Sequence, residues 1–261
     1  MADESVAKSF YSVLILAFVC SLLVAGAAVG LRPIQEANKL KDQRKNILYA
    51  AGLYEPGKSI DELFKPIETK IIDLSTGEYV PEDQLSPVSY DQLKAAMTEA
   101  DGRLLAPDQD LAGLRRLEKY SLVYLVGNKK DGKISQIILP VRGKGLWSTM
   151  YAYVAVDADL NTIGGISFYE HGETPGLGGE IENRKWQDGW QGKKLYTPDG
   201  KMELKVIKGT VDPSGQQAAY QIDGLSGATL TANGVSRLME FWFGDHGFKP
   251  YLTQLKENSN G

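Results

Sequence analysis

The sequence predicts an α+β fold: one N-terminal transmembrane helix, then an antiparallel sheet domain flanked by helices. Three observations carry it. Residues 9–31 contain no charged side chain. Residues 120–169 hold short runs rich in Val, Ile, Leu and Tyr, separated by turn residues, which is a strand pattern. Val235, Leu238, Met239 and Trp242 then stand at i, i+3, i+4 and i+7, one face of a helix. There is no repeat and no low-complexity tract, and the runs of strands and helices suit α+β.

With 261 residues the chain has room for one large domain or two small ones. At 43% hydrophobic and 24% charged, its composition excludes disorder and collagen-like structure. The net charge of −4, from 29 Lys+Arg against 33 Asp+Glu, gives no electrostatic case for nucleic acid. The single cysteine excludes a disulfide within the chain, an all-cysteine zinc site and a cysteine-held Fe–S cluster. His171 and His246 lie 75 positions apart, which excludes a compact His-rich metal site. Redox chemistry here therefore requires a cofactor held by something other than Cys and His.

The uncharged stretch of 23 residues, 9–31, spans about 34 Å as a helix, enough for a bilayer core of about 30 Å. A cleavable signal peptide would have a shorter apolar region and a more basic start. Here Asp3 and Glu4 offset Lys8, although the small residues at 24–28 resemble a cleavage site. Bulky Phe18 and Val19 argue against a lipoprotein anchor at Cys20, and a soluble core helix is rarely apolar on every face. The expectation is one retained helix in membrane lipid. Gly26 and Gly30 form a G-x-x-x-G spacing that lets another helix approach, although glycine is common in membrane helices anyway. Arg32, Lys39, Lys41, Arg44 and Lys45 follow the helix, against Lys8 alone before it. Counted literally, that places the large soluble part in the cytoplasm.

Residues 32–55 read as a helix leaving the membrane, with Pro33 in its first turn and Leu40, Ile47, Leu48 and Ala51 as apolar positions. Ser59 and Glu62 form a capping box, followed by Ile60, Leu63, Phe64 and Ile67 at helical spacing. The charged stretch 72–115 holds one short helix near 89–100 and no identifiable chemistry. Residues 120–127 and 134–141 read as strands joined by an Asp131-Gly132 turn, and 147–157 with 163–169 as a second pair. A short helix at 180–191 comes next, then strands at 201–208 and 217–222. The strong helix around 235–242 follows, ended by Gly244. The expected divisions are a tail 1–8, the membrane helix 9–31, a helical membrane-proximal region 32–115, a binding domain 116–256 and a tail 257–261.

Three stretches could carry chemistry. The first, Asp223-Gly-Leu-Ser-Gly-Ala-Thr229-Leu-Thr231, places small residues and hydroxyls just before a helix N-terminus, where free N–H groups and the helix dipole suit a phosphate. It also reads as an ordinary turn whose Ser and Thr cap the helix. Gly224-Leu-Ser226-Gly-Ala228 nearly matches a hydrolase nucleophile elbow, but its last glycine is Ala and an antiparallel sheet is the wrong context. The second, 170–180, packs four glycines and one proline into eleven residues, a tightly shaped loop or a plain surface turn. Its glycines fail the dinucleotide spacing, since Ile181 stands at the third position. In the third, 140–150, Gly143 and Gly145 permit close backbone approach and Trp147 could cover a planar ligand, or simply begin a strand as a core residue.

Together these stretches are more specific than any one. The chain resembles, over nearly its full length, the NqrC family of the sodium-translocating NADH:quinone oxidoreductase. The likeness covers the N-terminal helix, Asn46-Ile-Leu-Tyr-Ala-Ala-Gly-Leu53, the GKGLWSTMY run, the HGETPGLG loop and the terminal SGAT. In that family, and in the related flavin-binding protein of Rnf complexes, the last Thr of D-x-x-S-G-A-T is esterified to the phosphate of FMN. The resemblance thus implies covalent FMN on Thr229, with Asp223, Ser226, Gly227 and Ala228 completing the pattern. It implies further cofactor contacts from Trp147, Ser148, Thr149, Glu173, Thr174, Leu177 and Gly178.

It further implies an electron-transfer subunit that relays electrons from an Fe–S centre to a flavin on another subunit. NADH oxidation and ubiquinone reduction, coupled to Na⁺ transport, would occur on partner subunits. A flavin transferase would load FMN from FAD. The location implied is the bacterial inner membrane, single-pass, with the flavin domain periplasmic and the tail 1–8 cytoplasmic, since long translocated domains override local charge. The alternatives are the equivalent flavoprotein of an Rnf ferredoxin:NAD complex, a membrane-anchored flavin-binding sensor or assembly module, and the hydrolase.

Overall fold

The computed structural model describes residues 6–127 and 133–259. The Asp131-Gly132 turn lies outside them. Helix α1 runs unbroken over Val6–Ala50 with Pro33 inside it, so the membrane helix and the helix expected to follow it are one element. Its apolar part is long enough to cross a membrane, and its large hydrophobic side chains from Phe10 to Leu40 are all exposed. The chain forms two compact units, Met1–Gln43 and Arg44–Gly261.

The second unit is built on six strands: β1 (Ile67–Asp73), β2 (Tyr79–Val80), β5 (Tyr120–Gly127), β6 (Ile134–Lys144), β7 (Thr149–Asp157) and β8 (Ile163–Glu170). They form one sheet in the order β2-β1-β5-β6-β7-β8, each antiparallel to its neighbours. A small antiparallel pair, β3 (Gly102–Leu104) with β4 (Arg116–Glu118), stands apart. The period-2 geometry of a strand sends alternate side chains to opposite faces. In β7, Ala152, Val154 and Val156 join one hydrophobic cluster, whereas Tyr153 and Ala155 join another. Helix α5 (Thr229–Trp242) covers the first through Val235, Leu238 and Met239, all fully buried. The last turns of α1 supply Ile47, Leu48, Ala50 and Ala51 to the second. With both faces covered, β7 is a nearly continuous apolar run.

Several expectations need correcting. Ile67 does not lie on a helix: α2 (Ile60–Phe64) is one short turn, and β1 begins at Ile67 and pairs along its length with β5. The boundary drawn at 115/116 therefore cuts through the sheet. Ser59 sits at the N-cap of α2, but its side chain makes no capping bond. The short helix in the charged stretch is α3 (Gln92–Met97), capped by Asp91. The helix expected at 180–191 is a 3₁₀ turn (Gly178–Glu182) followed by α4 (Arg184–Asp188). The strands at 201–208 and 217–222 shrink to β9 (Lys205–Val206) and β10 (Gln221–Ile222), a two-residue pair that runs parallel rather than joining the sheet. A last helix, α6 (Lys249–Ser259), follows α5 and buries Tyr251 and Leu252.

Candidate functional site

The β6–β7 hairpin is in register from Gln136↔Asp157 to Lys144↔Thr149, so residues 145–148 are its turn. Trp147 is thus a turn residue and not the start of a strand, and it is 66% exposed. Gly145 N–H donates to Ser148 O at 2.8 Å, and Lys144 Nζ to Trp147 O at 3.0 Å. Thr149 opens β7 and is half-buried.

The loop after β8 reaches this turn through Glu173. Glu173 is only 4% exposed, and its carboxylate accepts from the N–H groups of Leu146 (3.2 Å), Trp147 (2.9 Å) and Ser148 (3.1 Å). Ser148 Oγ in turn accepts from Gly172 N–H at 2.6 Å. Burial pushes the Glu173 carboxyl up, but bonds from the Thr231 hydroxyl and the three backbone N–H groups outweigh it. The carboxyl ends below its ordinary value and is ionised at neutral pH. Thr174, exposed, closes the loop through its carbonyl, which accepts from Leu177 N–H at 3.1 Å and Gly179 N–H at 2.9 Å.

The third piece is the start of α5. Thr229 is its first residue and is exposed, beside an N-cap residue, Ala228, whose side chain has no acceptor for the first-turn N–H groups. Those donors and the dipole of a 14-residue helix favour an anion beside the Thr229 hydroxyl. Gly227 takes φ +70, and a Cβ there would meet Leu177 Cδ2 at 2.9 Å, so the SGAT turn and the ETPGL loop touch. A Cβ on Gly178 would meet Thr231 Oγ1 at 2.5 Å. Leu146, Trp147, Leu177 and Leu230 stay 41–66% exposed, leaving apolar surface on the same three segments.

Three distant stretches are therefore brought together. Two of the predicted residues make hydrogen bonds within the fold. Asp223 Oδ1 accepts from Val211 N–H at 2.8 Å, and its carbonyl accepts from Trp186 Nε1 at 2.8 Å. Glu173 directs its oxygens at backbone and at Thr231. Ser226 lies exposed on its turn, and no hydrogen bond among the described residues links it to a histidine. His171 Nδ1 accepts from Glu173 N–H at 3.1 Å, and its Nε2 lies 2.9 Å from Glu182, out of hydrogen-bonding alignment. His171 is thus engaged with the Glu173 backbone and not with Ser226. Thr231 belongs to the same stretch of sequence, but nothing local to it points to Glu173 as the partner of its hydroxyl.

Residues 145–244, which contain the turn at 145–148 and both other stretches, match the FMN-binding domain family. The NqrC protein of the Na(+)-translocating NADH-quinone reductase of Pseudomonas aeruginosa is 46% identical over 259 residues, covering 98% of each chain. Its counterpart from Vibrio parahaemolyticus is also 46% identical, covering 98% of this chain and 97% of its own. This chain belongs to the NqrC family. The crystal structure of Shewanella oneidensis NqrC superposes with a TM-score of 0.77 at 35% identity, over 85% of this chain and 99% of that one. The family's α+β domain is thus the domain described above, and the protein is part of an oxidoreductase complex.

Proposed function

We propose that this protein holds FMN as a phosphoester of Thr229 and relays electrons between an Fe–S centre and a flavin on a neighbouring subunit of the Na⁺-translocating NADH:quinone oxidoreductase. One observation carries the reading: an exposed threonine hydroxyl at an uncapped helix N-terminus, bordered by the loops of Leu177 and Trp147. The residues fit the group. A phosphate suits the first-turn N–H groups, and the exposed apolar side chains suit a planar ring.

In the loading step, Thr229 Oγ attacks the FMN phosphorus of FAD. The new O–P bond forms as the pyrophosphate bond breaks, AMP leaves, and the hydroxyl proton passes to a base of the flavin transferase. Thr229 is accessible enough for that enzyme to reach it. When bound, the flavin supplies the electron chemistry, and the chain supplies orientation and electrostatics. Trp147, Thr174 and Leu177 limit the swing of the ring, which a phosphate tether alone leaves free. NADH oxidation and ubiquinone reduction then belong to partner subunits. We place α1 as a single retained span of the bacterial inner membrane, with the flavin domain on the periplasmic side.

The test is flavin fluorescence of the denatured chain in a gel. Wild type should fluoresce and Thr229→Ala should not. Fluorescence surviving in Thr229→Ala overturns the assignment.

A further inference from the structure

The T-L-T sequence at the start of α5 offers two hydroxyls, and the structure separates their roles. Residues two apart on a helix lie about 200° apart around its axis. Thr229 is exposed, whereas Thr231 is 1% exposed and donates to Glu173 Oε2 at 2.6 Å. Glu173 Oε1 takes Trp147 N–H and Ser148 N–H, and Oε2 takes Leu146 N–H as well. Three successive N–H groups converging on one point form an anion-binding concavity. Here it is filled by the chain's own carboxylate, whose four or so lone-pair sites are thereby all used.

We propose that Glu173 and Thr231 form a hydrogen-bonded pin that sets the spacing between the Trp147 turn and the Thr229 helix, making both positioning residues for the flavin. This rests on the function proposed above. The pin joins the two sides of the candidate slot by one side chain, with no backbone pairing needed between turn and helix. Charge makes each of its bonds shorter and stronger than a neutral one. Losing a single partner leaves buried polar groups unmatched, so the turn at 146–148 loses its anchor to the first turn of the helix. A negative charge held beside the slot also opposes added electrons.

The test uses the full chain, assembled and flavinylated, in Glu173→Gln, Thr231→Val and Thr231→Ser forms. Gln keeps the shape of Glu but loses the charge and one acceptor; Val keeps the shape of Thr without the hydroxyl; Ser keeps the hydroxyl. Glu173→Gln and Thr231→Val should still fluoresce in the denaturing gel. Their attached flavin should show an altered visible spectrum and a shifted midpoint potential, upward for Glu173→Gln. Thr231→Ser should restore wild-type values. In the flavin-free Thr229→Ala background, amide exchange at residues 146–148 should rise about tenfold with Glu173→Gln.

Wild-type spectrum, potential and exchange in both Glu173→Gln and Thr231→Val would overturn the pin, as would Thr231→Ser behaving like Thr231→Val. If Glu173→Gln does not accumulate, the Val and Ser variants decide alone. A wild-type chain without fluorescence would refute the proposed function, while the exchange measurement would still judge the pin.

Discussion

At the scale of single residues, the site divides into side chains that face solvent and side chains that hold the frame. Trp147 and Leu177 are 66% and 44% exposed on a turn and a loop, and Thr174 is exposed as well. Because they brace nothing in the core, truncating them should spare folding and flavinylation. Trp147→Ala and Thr174→Ala should slow electron transfer and shift the flavin potential. Leu177→Ala should act more weakly, since full burial of such a side chain is worth about 1.5–3 kcal/mol and this one is only partly covered. The measurement is quinone-reductase activity per mole of bound flavin in the assembled complex. Wild-type activity and spectra in all three would make these segments plain turns, with the ring contacting a partner instead.

At the scale of elements, the β6–β7 hairpin presents the Trp147 turn, so whatever holds β6 holds the site. Arg142 on β6 makes a bidentate pair with Glu118 on β4, at 2.7 and 2.5 Å, with both side chains nearly or fully buried. Its carbonyl also accepts from Trp242 Nε1 of α5 at 2.7 Å. Burial opposes the Arg142 charge, yet the Glu118 carboxylate outweighs it and holds the guanidinium pKa above its ordinary value. Removing one partner strands the other charge in the interior. Arg142→Met should therefore cost about 3–5 kcal/mol of stability, while pairing it with Glu118→Leu should recover much of the loss. Thermal melting of the detergent-solubilised chain measures both. Equal melting of the single and double variants would show that the pair is not coupled.

At the scale of the whole molecule, a long apolar helix and a folded domain share one chain. If α1 is a retained anchor, the intact mass of the mature chain should include residues 9–31, and the chain should stay with membranes after a high-salt wash. Protease added to spheroplasts should cleave the folded domain only if that domain is periplasmic. A mature start near Ala28 would refute the anchor, and protection in intact spheroplasts would reverse the orientation. The five basic residues from Arg32 to Lys45 make this a fair test, because by local charge alone they favour the cytoplasm.

What the sequence determined by itself was whatever depends on local periodicity. The unbroken apolar run of α1, the strands β5 to β8 and the amphipathic face of α5 are all legible because each is specified by residues within a few positions of one another. The small residues and hydroxyls of the SGAT stretch, ahead of a helix and suited to a phosphate, were legible for the same reason. Tertiary structure decided the rest. Ile67, Ile71 and Ile72 are spaced as well for a helix as for a strand, and pairing with β5, about fifty positions away, makes them β1. Trp147 reads as a strand residue until the register of β6 on β7 makes it a turn. In the sequence Glu173 is one acidic residue of a glycine-rich loop. Only folding brings it to N–H groups 25 to 27 positions away and to a hydroxyl 58 positions away. A buried carboxylate must find donors, and which donors it finds is a property of packing that no local pattern encodes.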